Sequence, residues 1–113
     1  MLTITKVMTR TNWEAFKMQK EWKEPSLLEE GFIHCSFLNQ SIQVANKHFT
    51  NESDLVLLIL DPALVQAEIK YEIATNGQEY PHIYGPLHVD SVTEVVPFTK
   101  LADGAFALPD ELK

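Results

Sequence analysis

The stretch G-F-I-H-C-S, Gly31 to Ser36, sets a histidine, the chain's only cysteine and a serine side by side. Read as a strand, its alternation puts His34 and Ser36 on one face and Ile33 and Cys35 on the other. A second compact polar stretch, P-H-I-Y-G-P, runs from Pro81 to Pro86. The same parity puts His82 and Tyr84 together there, with Ile83 opposite. Two strand-like segments thus each present a histidine and a hydroxyl on one side. The expectation is a polar cleft with His34 and Ser36 on one wall and His82 and Tyr84, the other candidate catalytic pair, on the opposite wall.

Further residues join this cleft as candidate ligand contacts. Glu72 lies on the polar face of an alternating segment, where a carboxylate near a histidine can orient the ring or act as a base. Thr3 and Thr5, on the first strand, add hydroxyls of matching parity. Trp13 and Trp22 are candidate platforms for a planar ligand, although Trp13 also has a core role. Cys35 shares its face with Ile33, and a thiol in apolar surroundings stays protonated and inert. There is no HxxxH, HExxH or CxxC spacing, so no metal site is expected. The four glycines are scattered and form no phosphate loop, and His48 and His88 read as surface.

Each candidate also has a structural reading. His34 can be a hydrogen-bonded strand residue, His82 a turn residue beside Pro81, Tyr84 a core ring with a surface hydroxyl, and Glu72 a solvated partner of Lys70. The repeated parity favours a site, and it requires both segments to be strands.

Working outward, Leu2 to Met8 alternates as an N-terminal strand. Thr11-Asn12-Trp13-Glu14 reads as a capping box opening a helix with Trp13, Phe16 and the Lys20 stem on one face. Pro25 to Gly31 is a short helix signal, with a Ser26–Glu29 capping box and Gly31 at a left-handed C-cap. Asn39 to Phe49 has Ile42, Ala45 and Phe49 at helical spacing. The unbroken apolar run Leu55 to Leu60 predicts a central strand buried on both faces. Glu68 to Ala74 alternates, and Asn76-Gly77 predicts a hairpin onto the Tyr80–Tyr84 segment. Val89 to Phe98 is the last β-rich stretch, and Pro97 implies that its end lies at an edge or leaves the sheet. Phe106 and Leu108 are the residues that dock the tail, 102–113. The fold class is α+β: one domain over 1–113, with a mixed or antiparallel sheet and helices from the N-terminal half.

Sixteen acidic residues against nine basic ones give a net charge of −7, and Arg10 is the only arginine. Nucleic-acid binders cluster basic residues to neutralise phosphates, whereas the lysines here are scattered, so a long nucleic acid is not an expected partner. No apolar run reaches the length of a membrane span, and the N-terminus lacks a signal pattern. With one cysteine, the expected setting is the cytoplasm.

The ordered set G-F-I-H-C-S, A-N-K-H-F from Ala45, D-L-V-L-L-I-L-D-P from Asp54, P-H-I-Y-G-P-L from Pro81 and F-A-L-P from Phe106 resembles the bacterial domain-of-unknown-function family 952 over about residues 2–109. Members are sometimes labelled glutathione S-transferase-related, but this chain is too short for the two domains that label implies. The resemblance implies a split sheet grouped with ADP-ribosyltransferase-like folds, in which separate strands line a cleft for NAD. By that analogy His34, Ser36, His82 and Tyr84 line the cleft, and the ligand is a nucleotide-like small molecule of the NAD or ADP-ribose type, handled by a transferase. The family's early I-Y-H-I-T pattern is matched here by Met1-Leu2-Thr3-Ile4-Thr5, so Thr3 replaces an imidazole and cannot titrate. That departure keeps a second possibility open, a non-catalytic binding or regulatory module.

Overall fold

The stretch Gly31–Ser36 turns out to be the place where the chain changes sheets. The computed structural model describes residues 3–108 and 112, and for Thr99 the backbone only. In chain order the elements are β1 (Ile4–Thr9), α1 (Arg10–Gln19), β2 (Glu21–Trp22), α2 (Pro25–Glu29), β3 (Ile33–His34) and β4 (Ser36–Phe37). There follow α3 (Ser41–His48), β5 (Leu55–Leu60), β6 (Glu68–Ile73), β7 (Glu79–Tyr84), β8 (Leu87–His88), β9 (Val92–Pro97), β10 (Thr99–Lys100) and β11 (Phe106–Ala107). Leu2, expected to open the first strand, lies outside the described residues.

One sheet has four strands in the order β4-β1-β5-β9, and a second has three in the order β3-β7-β6. All pairings described are antiparallel. The molecule is a single-domain α+β protein whose α-helices, among the described residues, lie in its first half, with short 3-10 turns at Pro62–Leu64 and Val89–Ser91. As its apolar run implies, β5 is interior, flanked by β1 and β9, and all but one of its residues are buried. Pro97 ends the edge strand β9, where its missing N–H costs no ladder bond.

The sheet separates two cores. On one side Trp13 and Phe16 of α1 pack with Ile4, Met8, Leu58, Ile33 and Ile83. On the other Ala45 of α3 packs with Val7, Leu55, Leu57, Phe106 and Leu108, with Ile42 and Phe49 against them.

The expected continuous strand Phe32–Ser36 is broken at Cys35, which corrects the parity argument. Ile33 and His34 pair with Ile83 and His82 of β7, whereas Ser36 and Phe37 pair with Thr5 and Ile4 of β1. The Cys35 N–H donates to the Pro81 carbonyl (3.1 Å), tying the crossing point to β7. Strand alternation does not carry across such a change of sheet. His34 is exposed and Ser36 is 2% exposed.

Both capping boxes are also corrected. The helix begins earlier, with Thr9 as N-cap accepting from the Asn12 N–H (3.1 Å). Thr9 is the last extended residue of β1, so its hydroxyl reaches the first turn, while Thr11 is already helical. Lys20 is not on the buried face but caps the helix at φ 67°. At α2 the N-cap is Glu24, and the Ser26 hydroxyl shares its proton between Glu24 Oε2 and the Phe32 carbonyl, both 2.8 Å away, instead of accepting from the helix N–H groups. Gly31 has φ +90°, and its N–H closes on Ser26 and Leu27, as the C-cap reading expected.

Candidate functional site

The split has a direct consequence for β1. Its neighbour β4 pairs only with Ile4 and Thr5, and where β3 swings away to β7 the same edge of β1 from Lys6 onward has no strand beside it. The Arg10 N–H donates to the Asp54 carbonyl, so even-numbered residues of β1 turn their backbone groups toward β5. The Leu38 N–H donates to the Thr3 carbonyl, so odd-numbered ones turn toward the β4 side. Val7 therefore points its N–H and C=O into the gap, and neither has a protein partner among the described residues.

A cavity of about 690 Å³ opens along this gap, within the range of about 300–1,000 Å³ usual for small-molecule sites. Lys6 to Thr9 form one side, with Trp22, Glu24, His34, Cys35 and Ser36 next to them. Gln43, Lys47 and His48 of α3 line it as well, as do Asn76, Tyr80 and His82.

The gap is stitched at one end by a buried ion pair. Lys6 Nζ lies 2.6 Å from Glu24 Oε1 and donates to the His34 carbonyl at 2.7 Å. Glu24 accepts further bonds from Trp22 Nε1 (3.2 Å), Ser26 Oγ (2.8 Å) and the His34 N–H (3.1 Å). Burial alone would raise the Glu24 carboxyl, but the Lys6 charge and the bonds from Lys6, Ser26 and Trp22 outweigh it and hold the group below its ordinary value of 4.5.

A depressed carboxyl contributes stability that is present above the unfolded value and lost as pH falls through the folded one. Thermal unfolding is therefore expected to show a loss of stability on acidification below pH 4.5. Lys6→Met should shrink that acid-dependent loss, because without the Lys6 charge the folded carboxyl returns toward its unfolded value. A pH series of melting curves on both proteins checks this; superimposable acid limbs would contradict it.

The second polar cluster lies on the open face of the three-stranded sheet. His34 and His82 are cross-strand partners, with ring centroids 5.4 Å apart. They are thus neighbours on one surface and not opposite walls. Glu72 Oε1 accepts from the Tyr84 hydroxyl (2.5 Å) and lies 2.9 Å from His82 Nδ1. The Tyr84 bond, followed by that from His82, holds the Glu72 carboxyl below its ordinary range, and the Glu72 bond pushes the Tyr84 phenol up. An ionised Glu72 only accepts, so His82 Nδ1 carries a proton and Nε2 is left as the free ring nitrogen. Phe32 stacks on the His82 ring at 4.1 Å and meets Tyr84 at 5.2 Å and His34 at 4.9 Å. Glu30 Oε2 lies 2.6 Å from His34 Nε2.

Of the sequence candidates, the fold brings His34, His82, Tyr84 and Glu72 onto one face, with His34 and His82 reaching the cavity. Ser36 reaches it too, but its hydroxyl is 3.0 Å from Thr5 Oγ1. Thr5 is wholly buried and also donates to the Ser36 carbonyl, so it joins β1 to β4 and does not line the cavity. Thr3 is exposed, precedes β1 and lines no part of it. Neither threonine thus lies on the cavity. Trp13 belongs to the core, whereas Trp22 lines the cavity. Cys35 is buried and its thiol is pushed up to about 12 by burial, in keeping with an unreactive residue.

The sequence reading missed Lys6, Glu24, Phe32 and the free backbone of Val7. Lys6 carried a signal: it stands between Ile4 and Met8, on the face both bury. A lysine placed so needs a buried acid. Glu24 and Val7 carried none, because their roles depend on where the sheet divides.

No functionally curated protein matches the chain. Among solved structures, a crystal structure of protein CC0527 from Caulobacter crescentus is 34% identical, with 97% of each chain covered and a TM-score of 0.86. A crystal structure of a double mutant of the same protein gives a TM-score of 0.85 at the same identity and coverage. Its solution NMR structure gives 0.79, covering 93% of this chain and 91% of that one. The model of the family described as proteins of unknown function, DUF952, matches residues 7–95. The split at Cys35, the His34–His82 face and all of the named cavity lining but Lys6 lie within that span, and the chain belongs to the DUF952 family.

Proposed function

We propose that the cavity binds a nucleotide-like small molecule of the NAD or ADP-ribose type, in an ADP-ribosyltransferase-like split sheet. The observation that carries this reading is the unpaired backbone of Val7 facing a cavity of about 690 Å³. A planar heterocycle or carboxamide can take both the N–H and the C=O of one extended residue, and Trp22 and Tyr80 offer ring faces beside it. Lys47 provides a cationic group and His48 a ring nitrogen for a phosphate.

In the transferase form of the reading, His82 Nε2 takes the proton of an acceptor hydroxyl as that oxygen bonds to the ribose C1′. The bond from C1′ to the nicotinamide nitrogen breaks, and its electron pair leaves with nicotinamide. Glu72 orients the His82 ring and balances its charge. A cytoplasmic setting belongs to the same reading, and long nucleic acids and membranes do not. The non-catalytic alternative is favoured by one observation. The Thr5 and Ser36 hydroxyls are spent on each other and all four donors around Glu24 on its carboxylate, leaving His82 Nε2 as a polar atom with no protein partner among the described residues.

Isothermal titration with NAD, ADP-ribose and a 2′-phosphorylated nucleotide tests binding. Saturable heat is expected for at least one, and His82→Ala should weaken it by about tenfold or more, the loss of one charged-group hydrogen bond. Folded protein that gives no heat at millimolar ligand would remove the reading. Nicotinamide release then separates transferase from binding module.

A further inference from the structure

The outer edge of the three-stranded sheet is β6, six regular residues with no proline and no bulge. Exposed strand edges are templates for pairing, and sequences usually blunt them. Here Tyr71 is 47% and Ile73 69% exposed. The Ala74 N–H donates to the Gln78 carbonyl inside the hairpin, so even-numbered residues of β6 spend their backbone groups on β7. Ile69, Tyr71 and Ile73 turn theirs outward, and among the described residues these have no backbone partner.

We propose that β6 pairs antiparallel with β6 of a second copy of this chain, on a two-fold axis through Tyr71. Charge selects the register. With Tyr71 opposite itself, Ile69 faces Ile73, and Lys70 faces Glu72 of the other copy on both sides of the axis. The outward backbone groups of Ile69, Tyr71 and Ile73 then form the paired rungs. Shifting by two residues one way sets Lys70 against Lys70 and Glu68 against Glu72. Shifting the other way sets Glu72 against Glu72. A shift by one residue puts inward-bonded groups opposite outward ones. The favoured register also lays Ile69, Tyr71 and Ile73 of both copies into one apolar stripe on the face where Phe37 stacks on Tyr71. The two sheets become one of six strands, and the cavity plays no part in the contact.

The two-fold makes a sharp test, because the native Cys35 is buried and the only thiol. Opposed residues in such a rung have Cα atoms about 5.5 Å apart, within disulfide reach. Tyr71→Cys should therefore convert to a disulfide-linked dimer under mild oxidation. Ile73→Cys should stay monomeric under the same conditions, because its two copies lie four residues, about 14 Å, apart. Wild-type protein at about 150 mM salt, where the screening length is about 8 Å and the repulsion between two acidic chains is reduced, should sediment with a concentration-dependent dimer. Tyr71→Pro, which removes an outward N–H and no hairpin bond, should keep the wild-type circular dichroism and lose the dimer. Equal cross-linking of the two cysteine variants, or a wild-type monomer at every concentration up to the solubility limit, would overturn the proposal.

Discussion

Glu24→Ala is expected to lower the stability of this protein by about 3–5 kcal/mol, the range for removing one partner of a buried ion pair. The side chains of Lys6 and Glu24 are only 11% and 13% exposed, so the lost partner is replaced poorly by solvent. The alanine would leave the Lys6 ammonium with the His34 carbonyl alone, and would orphan the Trp22 indole and the His34 N–H. Against a typical total of about 5–15 kcal/mol, this brings the chain close to unfolding. Glu24→Gln keeps an acceptor and the side chain's volume, and should cost less. The double change Lys6→Met with Glu24→Leu should recover only part of the loss. It removes both charges, yet the donors from Trp22 and His34 still lack an acceptor. Urea unfolding of the four proteins gives the energies directly; a Glu24→Ala cost below about 1 kcal/mol, the level of an exposed pair, would contradict the burial argument.

The second large effect is expected at Phe16. Its ring is wholly buried and meets Trp13 edge-on at 5.5 Å and Trp22 at 6.2 Å. Phe16→Ala should cost about 3–5 kcal/mol, the lost transfer energy plus the cavity left behind. The consequence reaches the site, because Trp22 lines the cavity and donates to Glu24. Loss of Phe16 leaves the Trp22 ring free to tilt, which should appear as a red-shifted tryptophan emission in the folded variant. Phe16→Leu keeps most of the apolar contact and should lower stability less, with emission near wild type. Denaturant melts and emission spectra of the three proteins, taken under conditions where each is folded, check both parts.

Much of the fold was legible because local patterns and tertiary demands agree. Leu55–Leu60 reads as an interior strand, Asn76-Gly77 as a hairpin turn, and Pro97 as a strand end at an edge or leaving the sheet, and the fold has the strand, the hairpin and the edge. The caps were misread because Thr9 and Thr11 are equally plausible by residue type, and because Ser26, the better capping type, follows a proline that already stands at the first helical position. The choice follows from where the strand before each helix ends. The His82–Tyr84–Glu72 group was legible from alternation within one hairpin, where parity holds. The pairing of His34 with Ser36 was not, because parity fails across a change of sheet.

By itself the sequence determined the α+β class, the hairpin that carries His82 and Tyr84, the unreactive Cys35 and the net negative charge. Each rests on periodicity, turn chemistry or composition, which need no knowledge of distant contacts. Only the tertiary structure decided that Gly31–Ser36 belongs to two sheets. It decided too that Val7 is left facing a cavity, and that Lys6 and Glu24 close one end of it. Those depend on which strand wins the edge of β1, a competition between hydrogen-bond partners more than twenty residues apart in the chain.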